Sequence, residues 1–196
     1  MAGQRRATSS HQQRQPRLRR LGRTCQPLHL CDTLLRLAEA ETFRPLRSED
    51  ILVELERNLV DVAGLNDRQV RHRINEMRRS FPDAAVTGHR DLESAMMCDH
   101  KDRHVLAAAV RADVEVLVTA NLRDFPPAAV EPYELTVLHP DDFLLDQLDL
   151  YPERTLIAVT RQAAAKNHPP MMVGELLDAL ARCGVSEFAA KAEQLL

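Results

Sequence analysis

Lysine is nearly absent from this chain: three lysines stand against 23 arginines in 196 residues. Such a bias is what GC-rich coding gives. Four cysteines, Cys25, Cys31, Cys98 and Cys183, show no CxxC pairing and no regular spacing, which excludes a zinc knuckle or a disulfide framework and leaves reduced, structural thiols as the expectation. No run approaches the roughly 18 to 20 consecutive apolar residues of a membrane helix. The N-terminus also lacks the apolar segment of a secretory signal, so a cytoplasmic protein without a membrane partner is expected.

Acids are missing from the first 31 residues, which hold seven arginines. The net charge of -3 therefore hides an asymmetry, because the remainder carries 29 acids against 26 - 7 = 19 basic residues, or -10. Residues 1–26, rich in Arg, Gln, Ser and Pro with no period of 2 or 3.6, have the composition of a disordered basic tail. A basic arm attracts nucleic-acid phosphate, although short charged termini are usually solvated. In GC-rich coding an out-of-frame stretch yields strings of these same residues, and a frameshift or wrong start would account for them.

Beyond this tail the chain is patterned. Asp32 is expected to cap a helix with Leu34, Leu35, Leu37 and Ala38 on its apolar face. Ser48 is expected to cap a second through Leu52, Leu55, Leu59 and Val62, ending at Gly64. A third begins after Asn66, with Val70, Ile74, Met77 and Phe81 on one face and arginines outside. Then come a short extended piece, DAAVTG, a helix over about 102–111, the apolar strand VEVLVTA, a stop at Pro126 and Pro127, a strand ELTVL and a capped helix HPDDFLLDQL. From about Leu150 two helical patterns remain, the second broken at Gly184.

Helices alternating with strands imply an α/β domain built on a parallel sheet. Ligands of such sheets bind beyond the carboxyl ends of the strands. Asp102, opening a helix, and the NLRD cluster after VEVLVTA share that rim, and Glu54, one turn into the second helix, can face it. Carboxylates gathered in one place raise one another's pKa unless a cation neutralises them. Mg²⁺ and Mn²⁺ prefer oxygen ligands and, in pairs, support in-line attack of water on a phosphodiester.

These residues resemble the PIN-domain ribonucleases, and among them the VapC-like toxins of bacterial toxin-antitoxin pairs. The likeness lies in SEDILVEL with Glu54, DRHVLAAA with Asp102, and VTANLRDF with Asn121 and Asp124. It runs from about Pro27 to Leu148, giving an expected PIN-like domain over 27–148 and a C-terminal helical extension over 149–196. The resemblance implies Mg²⁺- or Mn²⁺-dependent endoribonuclease chemistry on RNA, with Glu54, Asp102, Asn121 and Asp124 as site residues and Glu54, Asp102 and Asp124 as metal ligands. It also implies a cognate antitoxin and a homodimer.

One departure stands against the matches. The family begins with a central strand ending in Asp, whereas RRLGRTCQPLHL here places Leu21 or Arg23 at that position, and no β-branched run makes the strand. The first strand is therefore expected to be missing or degenerate. The first acidic ligand is absent too, and an impaired nuclease is expected.

Each residue has a plainer reading. Asp102 can cap its helix, Glu54 can be a solvated helix acid, Asp124 can cap a turn, and Asn121 can cap or orient RNA phosphate. Asp99 reads as a loop acid; His100 and His104 read as surface histidines, since no HExxH or third ligand accompanies them. Met96, Met97, Met171 and Met172 are expected to fill apolar contacts. Three functional classes are open: a PIN ribonuclease toxin, an inactive relative that binds antitoxin or RNA, and a translated pseudogene.

Overall fold

The computed structural model describes residues 27–61, 63–166 and 169–196. The basic tail 1–26, with Leu21 and Arg23, lies outside the described residues, as do Val62, Asn167 and His168.

Helix α1 spans Pro27–Glu39. The expectation that Asp32 caps it is corrected: the helix already runs through Leu28 and Leu30, so Asp32 sits mid-helix, where it pairs with Arg36 at 3.4 Å. Proline can open a helix because its missing N–H would have had no partner in the first turn, and Pro27 does so. Strand β1 (Arg47–Ser48) leads directly into α2 (Glu49–Asp61), where the Ser48 hydroxyl accepts from the Ile51 N–H at 3.3 Å. Gly64, at φ +66°, turns the chain toward α3 (Asp67–Ser80). Asn66 and Gln69 form a reciprocal capping box there, each side chain bonded to the other's backbone N–H at 3.0 Å. Leu28, Leu52, Leu59, Val70 and Ile74 make the core of these three helices.

Strand β2 (Ala85–Val86) pairs with β1 in parallel. Helix α4 (Arg103–Arg111) then feeds β3 (Val116–Val118), a short α5 (Pro127–Val130) and β4 (Thr136–Leu138), which pairs with β3 in parallel. The strand elements are shorter than VEVLVTA and ELTVL predict. Among the described residues no ladder joins the two pairs. Helix α4 touches both, resting on β1 and packing Leu106, Ala107 and Ala109 with Leu117, Val137 and Phe125. Val116 remains 38% exposed, although a parallel strand covered on both faces buries such residues.

Four helices complete the chain: α6 (Pro140–Leu150), α7 (Pro152–Ala164), α8 (Val173–Arg182) and α9 (Ser186–Leu195), with Gly184 at φ +91° between the last two. Leu144, Leu148, Val159, Leu176, Leu180 and Phe188 share a core with Leu37 of α1. The helix α9 is preceded by Val185, which has no side-chain acceptor, and α6 supplies one instead. The buried Asp141 carboxylate accepts from the N–H groups of Glu187 at 3.1 Å and Phe188 at 2.8 Å, a charge-assisted cap delivered from another helix. Met96 is buried and Met171 packs on this core, but Met97 and Met172 are 78% and 74% exposed, which corrects their expected role as filling. No described helix is long and apolar enough to cross a membrane.

Helix α1 is locked to α7 by a closed polar ring. The Thr33 hydroxyl donates to Gln162 Oε1 at 2.7 Å, and Gln162 Nε2 donates to the His29 carbonyl at 2.9 Å, with Thr33 and Gln162 fully buried. A buried acceptor that loses its donor costs about 1–3 kcal/mol. The near-isosteric Thr33→Val variant is therefore expected to lower unfolding free energy by about that amount in urea titration; an unchanged midpoint would show that the ring adds nothing to stability.

Candidate metal centre

The carboxyl end of β3 and the start of α4 meet at one rim. Thr119 continues the ladder through its N–H to the Leu138 carbonyl at 3.0 Å, and its hydroxyl accepts from the Asn121 N–H at 3.1 Å, which turns the chain. Asn121 Nδ2 then donates to Asp124 Oδ2. The α4 side is set by a short 3-10 turn over His100–Asp102, in which Asp99 accepts from the Lys101 N–H at 3.1 Å. That turn brings the Lys101 ammonium to 3.0 Å from Asp124 Oδ2 and 3.6 Å from Asp102 Oδ2.

Asp102 makes no side-chain cap to α4, so the plain capping reading does not describe it. Its Oδ2 is buried and has no hydrogen-bond partner, the Lys101 ammonium lying just beyond bonding distance. Burial raises the Asp102 pKa above its ordinary value, with Asp124 adding to the rise and Lys101 opposing it. The hydrogen bond to Asp124 in turn raises that of Lys101.

Glu54 approaches from α2, with Oε2 3.6 Å from Nε2 of His104, two residues beyond Asp102. His104 is therefore not a plain surface histidine: its side chain is only 19% exposed, and Nε2 is buried without a hydrogen bond. The structure thus joins Asn121 to Asp124 by a hydrogen bond, bridges Asp124 and Asp102 through the Lys101 ammonium, and sets Glu54 against the first turn of α4. A buried carboxylate oxygen without a hydrogen bond suits a cation, and the oxygen-rich donor set suits a hard one.

A second constellation was invisible to spacing arguments. Ligand atoms of Asp50, His89 and Glu93 lie within 4.8 Å of one another. Both Asp50 oxygens are already engaged: His89 Nε2 is 2.9 Å from Oδ2, and Arg90 donates through Nη2 at 2.6 Å and Nε at 3.3 Å. The Arg90 bond, foremost, holds the Asp50 carboxyl below its usual range. The arrangement is a clasp between the first turn of α2 and the loop after Gly88. The cysteine thiols of Cys31 and Cys98 are pushed up by burial, as expected of structural thiols.

With an α/β fold and acids at the strand ends in place, comparison with known proteins is specific. The PIN domain family matches residues 22–123 and the VapC50 C-terminal domain family matches residues 140–194. The chain belongs to the PIN-domain family and is VapC-like within it. It is 54% identical over 120 residues to "Putative ribonuclease VapC50" of Mycobacterium tuberculosis (strain ATCC 25618 / H37Rv), covering 59% of this chain and 70% of that protein. No solved structure matches the chain.

A raised carboxyl pKa has a defined sign for stability. The folded state holds the proton more tightly, so stability falls as pH rises from the ordinary carboxyl value through the folded one, and the penalty is complete above it. In chelator at pH 7, Asp102→Asn is expected to raise the melting temperature by roughly 2–4 °C, equivalent to about 1 kcal/mol. A lower melting temperature for the variant would show that the charge is well accommodated without a metal.

Proposed function

We propose that the chain is a Mg²⁺- or Mn²⁺-dependent endoribonuclease of the PIN toxin type, impaired by the lack of a first acidic ligand. The observation that supports it most is the buried Asp102 Oδ2, without a hydrogen bond, near Asp124 at the carboxyl end of β3. The description of the mycobacterial relative as a ribonuclease agrees with this reading.

Asp102, Asp124 and Glu54 would hold the ion. Bound there, Mg²⁺ or Mn²⁺ supplies positive charge that polarises a phosphodiester toward attack by water. Asn121 fixes the Asp124 carboxylate through its amide, which stops it rotating away from Asp102. His104 stands where it can orient Glu54, and the half-buried setting of Asp102 excludes water that would weaken its hold on a cation.

The impairment is a matter of charge. The sequence offers Leu21 or Arg23 where the family's first acid is expected, and at about 4 Å with an effective dielectric near 20 one lost charge pair is worth roughly 4 kcal/mol. We further propose a cognate antitoxin and a homodimer, with a PIN-like working domain over 27–148 and the C-terminal helices 149–196 as its extension.

Titration with Mn²⁺ beside an RNA-cleavage assay tests the reading. Weak cleavage, dependent on Mn²⁺ and abolished by chelator or by Asp102→Ala, is expected. Cleavage that survives both treatments would exclude this site as its source, and Mn²⁺ binding with no cleavage would favour the inactive RNA- or antitoxin-binding relative.

A further inference from the structure

An ammonium already sits where a metal is called for. Lys101 Nζ lies 3.0 Å from Asp124 Oδ2 and 3.6 Å from Asp102 Oδ2, between two carboxylates proposed as metal ligands. We propose that the Lys101 ammonium holds the cation position between Asp102 and Asp124, so that a divalent ion entering the site must displace it. This inference rests on the metal-dependent reading of the site.

Charge gives the first reason. Asp102 and Asp124 carry two negative charges and the Lys101 ammonium returns one, so an entering divalent ion meets carboxylates whose charge is already half neutralised. Position gives the second reason. The Asp99 side chain, accepting from the Lys101 N–H, fixes the turn from which the ammonium reaches back to both acids. Mobility gives the third: the Lys101 side chain is 62% exposed, while those of Asp102 and Asp124 are 17% and 19% exposed. The lysine is the partner free to leave.

Geometry favours the exchange. At 3.6 Å the ammonium does not satisfy Asp102 Oδ2, which stays without a hydrogen bond. Mg²⁺, binding oxygen at about 2.0–2.1 Å, can. An exposed lysine pair is ordinarily weak, so a divalent ion is able to displace it, but the displaced charge still opposes the entering one.

Mn²⁺ titration of the full chain by calorimetry and by electron paramagnetic resonance of the free ion reads this directly. The wild type is expected to bind Mn²⁺, and Lys101→Met is expected to bind it roughly tenfold more tightly, while Lys101→Arg stays close to wild type. Lys191→Met, which removes an ordinary ion pair with Asp149 on the C-terminal helices, serves as control and should leave the affinity unchanged. Without metal, Lys101→Met should melt below wild type, and its rise on adding Mn²⁺ should be larger. An affinity unmoved by Lys101→Met would overturn the role of Lys101 alone. Failure of both wild type and Lys101→Met to bind Mn²⁺ would instead overturn the metal site itself, and this inference with it.

Discussion

Like-charged carboxylates brought to one rim must be neutralised, and this constraint organises the site. Asp102 and Asp124 come from different loops, one before α4 and one after β3, and burial makes the charge of Asp102 costly. Everything around them answers that cost. The Asn121 amide and the Lys101 ammonium both donate to Asp124, and what they leave unmet is a buried oxygen on Asp102. Stability alone would have placed a hydrogen-bond donor or an apolar side chain there. A half-buried acid whose charge burial makes costly marks a candidate functional site.

Much of this was legible in the chain, because local patterns carried it. Ser48, Asn66 and Gly64 are punctuation whose chemistry acts within one turn, and the structure uses each as the spacing implies. Asp32 misleads because a capping residue and a mid-helix acid look alike when the first turn contains Pro27, Leu28 and His29, none of which signals a helix by itself. His104 was missed for a different reason. Its burial depends on α2 crossing the first turn of α4, a tertiary event with no mark in the spacing of DRHVLAAA. The clasp of Asp50 with His89 and Arg90 spans some 40 positions, and the Asp141 cap of α9 spans 46 and 47, beyond the reach of any periodicity.

That no ladder joins the two strand pairs among the described residues is a physical statement as well as a topological one. Two-stranded parallel pairs expose ladder edges that larger sheets cover. Here α4 does the work of a neighbour, lying on β1 and packing against Leu117 and Val137. Side-chain packing can hold two pairs to a helix, but it does not fix their register as a shared ladder would. The exposure of Val116 is the visible trace of that difference. The acids of the rim are nevertheless set by the β3 exit and the α4 entry, which is why Asp102 and Asp124 share the Lys101 ammonium, while Glu54, on the helix that follows β1, stands beside His104.

The C-terminal helices bear on this weakness. Helix α1 contributes Leu28 to the core with α2 and α3 and Leu37 to the core with α6 through α9. It is also tied to α7 through Thr33 and Gln162, and its end is held where the Arg154 guanidinium donates to the Ala40 and Glu41 carbonyls at 3.2 Å each. Helix α6 packs Leu144 and Leu148 into the same core as α7, α8 and α9. A helix clamped from both sides is held in place without a ladder shared between the two strand pairs of the described residues. Part of the order that a continuous sheet would give to the first half of the chain is thus supplied by apolar burial and buried hydrogen bonds from the second, and α2, which carries Glu54, inherits its position from α1 through Leu28 and Leu52.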